Sequence, residues 1–330
     1  MSNAKSSVLI LFLGFCVCSV ELYCVDVDAL SNVTARVRAT KKSSGFTHKD
    51  VNFYLLDRYG AIDVLKANVT ELCEGMIKNF PKLQVLSLIN VNMSRIQPNS
   101  FSGVPELREL AFSVNNLSVI ENGSFNNIPS LEILYLSGNV IHTIEVEAFQ
   151  NLKNLRKLHL DRNTLLTLEP AAFTGTPNLQ FIDISFNILR TIEKGNFPLL
   201  QPSFNEPIEL LLAYNVIEDA DPKVFDFTNP LILNLRQNQF DAISNLYFGL
   251  NAHSSINLDD NYLSCLPDDV LDDIRGSTKS ISLKRNPLTC DCMKNIEEAL
   301  GNGDQLFGIG VLEYSSMIPC SYGQLPTESG

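Results

Sequence analysis

A pattern that returns at a constant interval constrains this chain more than any other feature of its sequence. One copy of the pattern runs from Leu131 to Leu152, with apolar residues at fixed positions around Asn139. The same positions return at equal distance around Asn115, earlier in the chain, and around Asn163, later in the chain. A fixed period of this kind, here about 24 residues, is typical of a solenoid, in which each repeat forms one coil and buries its apolar face against the next coil. The sequence therefore predicts a stack of similar coils.

Each coil contains one short strand. Leu134, Tyr135 and Leu136 alternate between the inside and the outside of the coil, as successive residues of a strand do. Strands stacked about 4.7–4.9 Å apart form a parallel sheet. The spacing lies in the range of leucine-rich repeats, in which such strands line the concave side of a horseshoe. We therefore predict an α/β repeat solenoid of this type with about ten concave strands, an irregular or short-helical convex side and terminal caps.

Two columns of recurring residues have structural roles. An amide both donates and accepts hydrogen bonds, so an inward-pointing asparagine can satisfy backbone groups that the turn after each strand buries. These ladder asparagines are Asn115, Asn139, Asn163, Asn187, Asn215, Asn238, Asn261 and Asn286. The residues expected to fill the convex side are Phe101, Phe125, Phe149, Phe173, Phe197, Phe225 and Phe248, followed by Leu271. Two weaker coils precede the ladder, and the second has Val91 at the asparagine position. Such departures are expected of terminal repeats, which cap the core.

The N-terminal segment indicates secretion. Lys5 precedes the apolar run 8–20, which is too short to span a bilayer. With small residues near Ser19, this pattern predicts a signal peptide over residues 1–19, cleaved between 19 and 24. Cleavage before Cys24 leaves six of the eight cysteines, an even number that suits an oxidised extracellular protein. Because no second apolar run is long enough for a membrane helix, we expect a secreted, extracellular chain without membrane insertion.

Glycosylation sequons agree with that route. They are Asn32, Asn68, Asn92, Asn116 and Asn122. Asn68, Asn92 and Asn116 are separated by one full repeat each, and each directly follows the ladder position. We expect these three to lie on one edge of successive coils and to coat that flank with sugar.

The period also sets the domain boundaries. We predict an N-terminal cap over 20–60, leucine-rich repeats over 61–286 and a cysteine-rich C-terminal cap over 287–330. Between Asn187 and Asn215 the interval is longer than one ordinary repeat, and we interpret the extra residues, which include Pro198, Pro202 and Pro207, as a neutral insertion. The alternative is a stiffened loop that binds a partner.

The N-terminal cap is predicted to be a hairpin. Its arms are expected at 33–39 and 51–56, with a solvated loop at 41–45 between them. Cys24 and Cys73 are the nearby cysteines and are expected to pair.

The C-terminal end carries a specific motif. Cys290 and Cys292 follow the last ladder asparagine, and Cys320 comes later. This motif resembles the cysteine-rich C-terminal flank of extracellular leucine-rich repeat proteins such as Toll ectodomains and Slit. In that family the flank has four cysteines, the first bonded to the third and the second to the fourth. Here the fourth is missing.

Cys265 offers a partner for the remaining cysteine. It follows a ladder asparagine at the same offset as Cys290 does, so stacking places the two at disulfide distance. We expect Cys265–Cys290 together with Cys292–Cys320. The alternative keeps the pairing Cys290–Cys320 that the resemblance implies and leaves Cys292 for Cys265.

The concave surface carries the candidate binding site. Its outward residues, taken by register, combine aromatic and apolar side chains with a few charges, as protein-binding hot spots do. We call this set the concave patch: Ile133, Tyr135, His159, Asp161, Arg162, Phe181, Asp183, Phe186, Leu211 and Tyr214. The alternative is that some of its rings only lie across neighbouring coils. Further along, Arg236, Asp259 and Lys284 alternate in sign and are expected to form surface ion pairs.

Catalysis finds little support in the sequence. It has no His-Glu-x-x-His, no glycine-rich phosphate loop and no Gly-x-Ser-x-Gly. His159, close to Asp161 and Asp183, is interpreted as a hydrogen-bonded surface histidine. We therefore predict that the chain is not an enzyme, has no cofactor and has no metal site. A net charge of −12 and a pI near 4.8 argue against a nucleic-acid partner.

The resemblance implies a function class. Secreted leucine-rich repeat proteins of this kind bind extracellular or cell-surface proteins, often in innate immunity or extracellular signalling. Two alternatives remain open: a self-associating matrix or adhesion component, which would form a homodimer, and an inhibitor of an extracellular enzyme.

Overall fold

The structure is a computed structural model. It describes residues 34–39, 42–47, 60–65, 69–170, 172–193, 195–197, 200, 206–221, 224–225, 227–243 and 254–300. Outside this range lie the predicted signal peptide at 1–19 and Cys24, Asn32, Asn68, Phe248 and Cys320.

The described residues form twenty strands and two helices. In chain order the strands are β1 (Thr34–Ala39), β2 (Lys42–Thr47), β3 (Ala61–Leu65), β4 (Glu71–Leu72), β5 (Ile77–Lys78), β6 (Val85–Ser87), β7 (Arg95–Ile96), β8 (Phe101–Ser102), β9 (Glu109–Ala111), β10 (Val119–Ile120), β11 (Ile133–Tyr135), β12 (Thr143–Ile144), β13 (Lys157–His159), β14 (Phe181–Asp183), β15 (Thr191–Ile192), β16 (Ile208–Leu211), β17 (Asp219–Ala220), β18 (Leu231–Asn234), β19 (Ser254–Asn257) and β20 (Thr278–Ser282). The helices are α1 (Asp268–Ser277) and α2 (Cys290–Leu300).

One long sheet dominates the fold. Its order is β2-β1-β3-β6-β9-β11-β13-β14-β16-β18-β19-β20, and the ten strands from β3 to β20 run parallel. The register follows the sequence period, because Leu134 pairs with Leu110 on one side and Leu158 on the other. The predicted solenoid with about ten parallel strands is therefore confirmed in the described part of the chain.

The core runs through the stack as a continuous column. Leu134, Leu158 and Ile182 are buried in the middle of successive strands. On the convex side the predicted phenylalanines stack at spacings that match the coils. The ring centroids are 5.9 Å apart for Phe125–Phe149, 5.9 Å for Phe149–Phe173 and 5.7 Å for Phe173–Phe197. Leu271 continues the apolar column on α1 and is buried.

The asparagine ladder links each coil to the one before it. Asn163 Oδ1 accepts the Ile141 N–H at 3.0 Å, and its amide donates to the Leu136 and Leu160 carbonyls. The other ladder asparagines repeat this pattern as far as Asn286, whose Oδ1 accepts the Leu263 N–H. Val91, at the corresponding position of an earlier coil, has no side-chain amide. Its own N–H, and that of Met93, are both accepted by Asn115 in the next coil.

The N-terminal hairpin differs from the prediction. β1 pairs antiparallel with β2, and Ala39 pairs directly with Lys42, so the predicted loop at 41–45 is largely strand. The predicted second arm at 51–56 lies outside the described residues. β1 also pairs antiparallel with β3, which joins the hairpin to the solenoid. The polar segment Lys42–Thr47 has weak strand propensity, but backbone pairing along the sheet determines its conformation, since strand propensity depends strongly on context.

The preferred pairing of Cys265 with Cys290 is also wrong, and the bond Cys265–Cys292 of the alternative is confirmed. Cys265 is bonded to Cys292, with the Cα atoms 5.3 Å apart, and not to Cys290. The reason is that α2 begins at Cys290, so successive side chains point in different directions around a helix. Cys292 faces the interior and is buried, whereas Cys290 is exposed. Cys290 is itself disulfide-bonded, and the predicted Cys24–Cys73 bond remains a prediction.

Two further features concern the insertion and the helices. Despite the longer interval before it, Asn215 occupies its ladder position and accepts the Leu189 N–H at 3.1 Å. Within the ranges described above, neither helix has the length and apolar character needed to cross a membrane.

Candidate functional site

The ten residues of the concave patch lie on four adjacent strands and the turns that follow them. β11, β13, β14 and β16 supply the strand residues, and the parallel register aligns Tyr135, His159, Asp183 and Leu211 across the sheet. These side chains are half-buried, while the leucines and isoleucines between them point into the core. The patch is thus a continuous surface on a rigid sheet.

Three rings form the first part of the patch. The Tyr135 and His159 rings stack with centroids 4.7 Å apart and planes 20° apart. Phe181 pairs in register with Lys157, yet its ring reaches His159 from the other side, with centroids 4.8 Å apart. The imidazole is therefore held between two aromatic rings. The expectation of an ordinary surface histidine is too simple, because this side chain is half-buried.

A second row runs along the rim, one position before the ladder asparagines. The Arg162 guanidinium lies 5.0 Å from the centre of the Phe186 ring. Phe186 stacks on Tyr214 with centroids 4.3 Å apart, and Arg236 lies over the far face of Tyr214 at 6.0 Å. Some rings do lie across neighbouring coils, as the alternative interpretation held. Even so, Phe186 keeps 44% of its surface exposed.

The rim residues share an unusual backbone. Arg162, Phe186 and Tyr214 have φ values of 56°, 56° and 58°, in the left-handed region that is uncommon for residues other than glycine. The asparagine that follows each of them bonds to the backbone of the same turn, as the Asn163 amide does to the Leu160 carbonyl. The ladder therefore holds the turn that presents these side chains at the rim.

Electrostatics at the first part of the patch centre on His159. Burial lowers the pKa of His159 below its usual value, although the charges of Asp183 and Asp161 act in the opposite direction. Asp161 accepts a hydrogen bond from the Ser137 hydroxyl at 2.5 Å, and Asp183 accepts the Ser185 N–H at 2.9 Å. The ligand atoms of His159, Asp161 and Asp183 lie within 4.8 Å of one another. The strand register thus gathers one imidazole and two carboxylates at one point.

The ion pairs beyond the patch are not those that the sequence predicts. Asp260, and not Asp259, binds the arginines: Arg236 Nε is 2.8 Å from its carboxylate and Arg285 contacts it through Nε and, at 2.6 Å, through a terminal nitrogen. Asp259 instead accepts the Lys284 N–H and the Ser282 hydroxyl. The prediction misplaced the charge by one position because Asp259 points toward the backbone of the next strand.

Asp260→Asn is expected to lower the free energy of unfolding by about 1 kcal/mol near neutral pH, a value limited by solvent screening. The hydrogen bonds from Arg285 and Arg236 lower the pKa of Asp260. A lowered folded-state pKa contributes stability above the unfolded pKa of about 3.9, and this contribution is lost as the pH falls through the folded pKa. Thermal unfolding should therefore separate the two proteins near pH 7 and not near about pH 2. Asp241→Asn serves as control, because Asp241 is exposed. A difference that persists in acid would contradict a stabilising role of the ionised Asp260 carboxylate.

The sequence did not single out Ser137, which donates to Asp161, or Asp260, which joins two arginines. Arg236 was expected in an ion pair with Asp259, and its position over the Tyr214 ring was not predicted. Ser137 was detectable in principle, since it stands one repeat before Asp161 in the same column. The partners of Arg236 depend on side-chain conformations that no periodicity contains.

The predicted glycosylation sites are on the described surface in three cases. Asn92, Asn116 and Asn122 are exposed, and the side chains of Asn92 and Asn116 lie side by side with a hydrogen bond of 2.5 Å between them. These two predicted sites thus occupy one flank of adjacent coils. Glycosylation itself remains a prediction.

Comparison with known proteins supports the fold. A family model described as leucine rich repeat matches residues 105–165 and 153–200. No curated protein sequence matches the chain significantly. The chain is similar to TLR13 in its crystal structure with ssRNA13, with a TM-score of 0.57 and 25% identity over 66% of this chain and 31% of that one. It is also similar to the mouse RP105/MD-1 complex, with a TM-score of 0.63 and 22% identity over 79% of this chain and 46% of that one.

These matches define what is shared. The chain contains leucine-rich repeats and has the horseshoe fold of these ectodomain structures. It spans about a third to a half of the length of the two solved chains.

Proposed function

We propose that this protein is a secreted, non-enzymatic binding module that recognises an extracellular or cell-surface protein through the concave patch, in innate immunity or extracellular signalling. The observation that carries the proposal is the pair of aromatic rows on one rigid sheet, Tyr135–His159–Phe181 and Phe186–Tyr214. Aromatic side chains and arginine are enriched at the energetic centres of protein interfaces.

The rigidity of the patch favours binding. Each ring is already held by a neighbour, as Phe186 is by Tyr214 and by the Arg162 guanidinium. Side chains ordered before association lose less conformational entropy when a partner docks. The patch can therefore present its edges and its charged groups without rearrangement.

Charge favours a protein over a nucleic acid. The two similar structures contain one partner of each kind, ssRNA13 with TLR13 and MD-1 with RP105. This chain has a net charge of −12, and the patch sets Asp161 and Asp183 against Arg162. Binding to a phosphate backbone depends on a surplus of basic side chains. That surplus is absent from the patch.

Secretion and glycosylation complete the proposal. The apolar run at 8–20, the sequons and the disulfide Cys265–Cys292 all fit the extracellular route. Sugars on Asn92 and Asn116 would cover one flank of the N-terminal coils. A partner would then approach from the concave side.

A second candidate function is self-association as a matrix or adhesion component. Val140 and Ile188 occupy the same column as Asn92 and Asn116, one position after the ladder, and are 46% and 46% exposed. An apolar flank of this kind can join copies of one chain. Sedimentation velocity separates the candidates, because self-association gives a mass that rises with concentration whereas a binder of other proteins stays monomeric.

The test of the main proposal is a capture experiment from extracellular fluid. The secreted protein is compared with a variant carrying Tyr135→Ala, Phe181→Ala and Tyr214→Ala. We expect the affinity for the captured protein to fall at least about thirtyfold, because truncating even one hot-spot residue costs about 2 kcal/mol or more.

A matched control is Tyr262→Ala, which removes a tyrosine that is 62% exposed and lies outside the patch. Circular dichroism and thermal unfolding verify that each variant is folded. Equal capture by the triple variant and the unaltered protein would refute the concave patch as the binding site.

A further inference from the structure

The convergence of His159, Asp161 and Asp183 is the strongest feature that protein binding leaves unexplained. The three residues come from β13, the turn after it and β14, and the register His159–Asp183 brings two of them side by side. One imidazole nitrogen and one oxygen from each carboxylate lie within 4.8 Å of one another. Among the described residues this is the one group of three such ligands.

Neighbouring groups orient all three side chains. Tyr135 and Phe181 hold the His159 ring from both sides, with centroids 4.7 Å and 4.8 Å away. The Ser137 hydroxyl donates to Asp161 and the Ser185 N–H donates to Asp183, so each carboxylate is fixed through one oxygen. Surrounding groups that orient ligands in this way are typical of metal sites in proteins and contribute substantially to metal affinity.

We propose that His159, Asp161 and Asp183 bind one divalent metal ion of the zinc class on the concave sheet. An imidazole nitrogen favours zinc, copper, nickel or iron over calcium and magnesium, which prefer oxygen ligands alone. Bonds of about 2.0–2.2 Å in a tetrahedral arrangement require ligand atoms roughly 3.4 Å apart. Small side-chain rotations shorten the present separations, which reach up to 4.8 Å, to this value. The side of the site that faces solvent leaves a position for water or for a ligand group.

The charge balance allows a cation here and not at the neighbouring aspartates. Asp161 has Arg162 as an ion-pair partner at 3.6 Å, and that guanidinium also lies over the Phe186 ring. It can therefore remain on the ring when a metal ion takes the carboxylate. At Asp260, in contrast, two arginines already occupy both oxygens. Lys157, on the same strand as His159, lowers the affinity without blocking the site.

Metal binding goes beyond the proposed function, because it requires no protein partner. It can therefore be tested on the isolated secreted chain. The protein is stripped with a chelator, freed of any polyhistidine tag and titrated with ZnCl₂ by calorimetry. Cobalt absorption spectroscopy then reports the geometry of the bound ion. The variants are His159→Gln and Asp183→Asn, with His142→Gln as the matched control, since His142 is an exposed histidine outside the group.

We expect one equivalent of zinc to bind to the unaltered protein and to His142→Gln. His159→Gln and Asp183→Asn should each weaken binding at least tenfold while the circular dichroism spectrum stays unchanged. Tetrahedral or five-coordinate cobalt bands should appear in the unaltered protein and disappear in His159→Gln. The proposal is overturned if His159→Gln binds zinc as tightly as the unaltered protein, or if the unaltered protein shows no saturable binding.

Discussion

Asn163→Ala is expected to lower the free energy of unfolding by about 2–6 kcal/mol, because it leaves a buried donor without a partner and removes two further buried hydrogen bonds. Asn163 is 7% exposed; its side chain accepts the Ile141 N–H and donates to the Leu136 and Leu160 carbonyls, which keep a second bond from Asn139 and Asn187. An orphaned buried donor costs about 1–3 kcal/mol, and each lost hydrogen bond about 0.5–1.5 kcal/mol. The loss should be concentrated in the coils on either side, since a solenoid is held together by contacts between neighbours.

Chemical denaturation measures the total loss, and amide hydrogen exchange locates it. Exchange at Ile141 should accelerate more than exchange in the coils near β3 or β20. The matched control is Asn178→Ala, which removes one exposed hydrogen bond to the Lys153 carbonyl at 2.7 Å and should cost less than about 1 kcal/mol. If Asn163→Ala is no more destabilising than this control, the ladder is not a main source of stability.

Phe149→Ala is expected to cost about 3–5 kcal/mol of unfolding free energy. The ring is fully buried and stacks between Phe125 and Phe173, with centroids 5.9 Å away on each side. Its removal leaves a cavity in a column that continues through the stack, and the neighbouring rings cannot close it without leaving their own coils. Phe149→Leu retains most of the volume and should cost less than half as much.

Phe186→Ala provides the comparison for the same change at an exposed ring. It should cost less than about 1 kcal/mol, because 44% of the Phe186 surface is already in water. Thermal unfolding of the three variants gives the ranking. Equal destabilisation by Phe149→Ala and Phe186→Ala would show that the convex column does not determine the stability of the stack.

The period of the sequence predicts the fold well because every coil has to bury the same positions. Leu134, Asn139 and Phe149 recur in register, so one copy predicts the strand, the ladder and the convex column of all the others. The outward positions of the strands follow from the same alternation, and it placed the strand residues of the concave patch. The rim residues Arg162, Phe186 and Tyr214 were placed by their position directly before the ladder asparagines.

Features that do not repeat were predicted less well. The direction of Cys290 depends on where α2 begins, and the strand at Lys42–Thr47 depends on pairing with β1 rather than on its own composition. The convergence of the three proposed metal ligands depends on side-chain rotation. So does the contact of the Phe181 ring with His159 rather than with Lys157, its partner in the strand register. Periodicity contains the positions of residues and not the conformations of their side chains.

The direction of the asparagine ladder gives the stack a polarity. Every amide acts backward along the chain, as Asn163 does toward Ile141 and Leu136, so a coil is complete only when the following coil is in place. During synthesis from the N-terminus, the newest coil therefore lacks its ladder acceptor until the following coil has formed. After Asn286 no further rung exists among the described residues, and α2 with the Cys265–Cys292 bond closes the final coil instead. Loss of this end would leave the Leu263 N–H without its ladder acceptor, whereas loss of the first coils would leave every ladder-bonded N–H of the later coils with its acceptor.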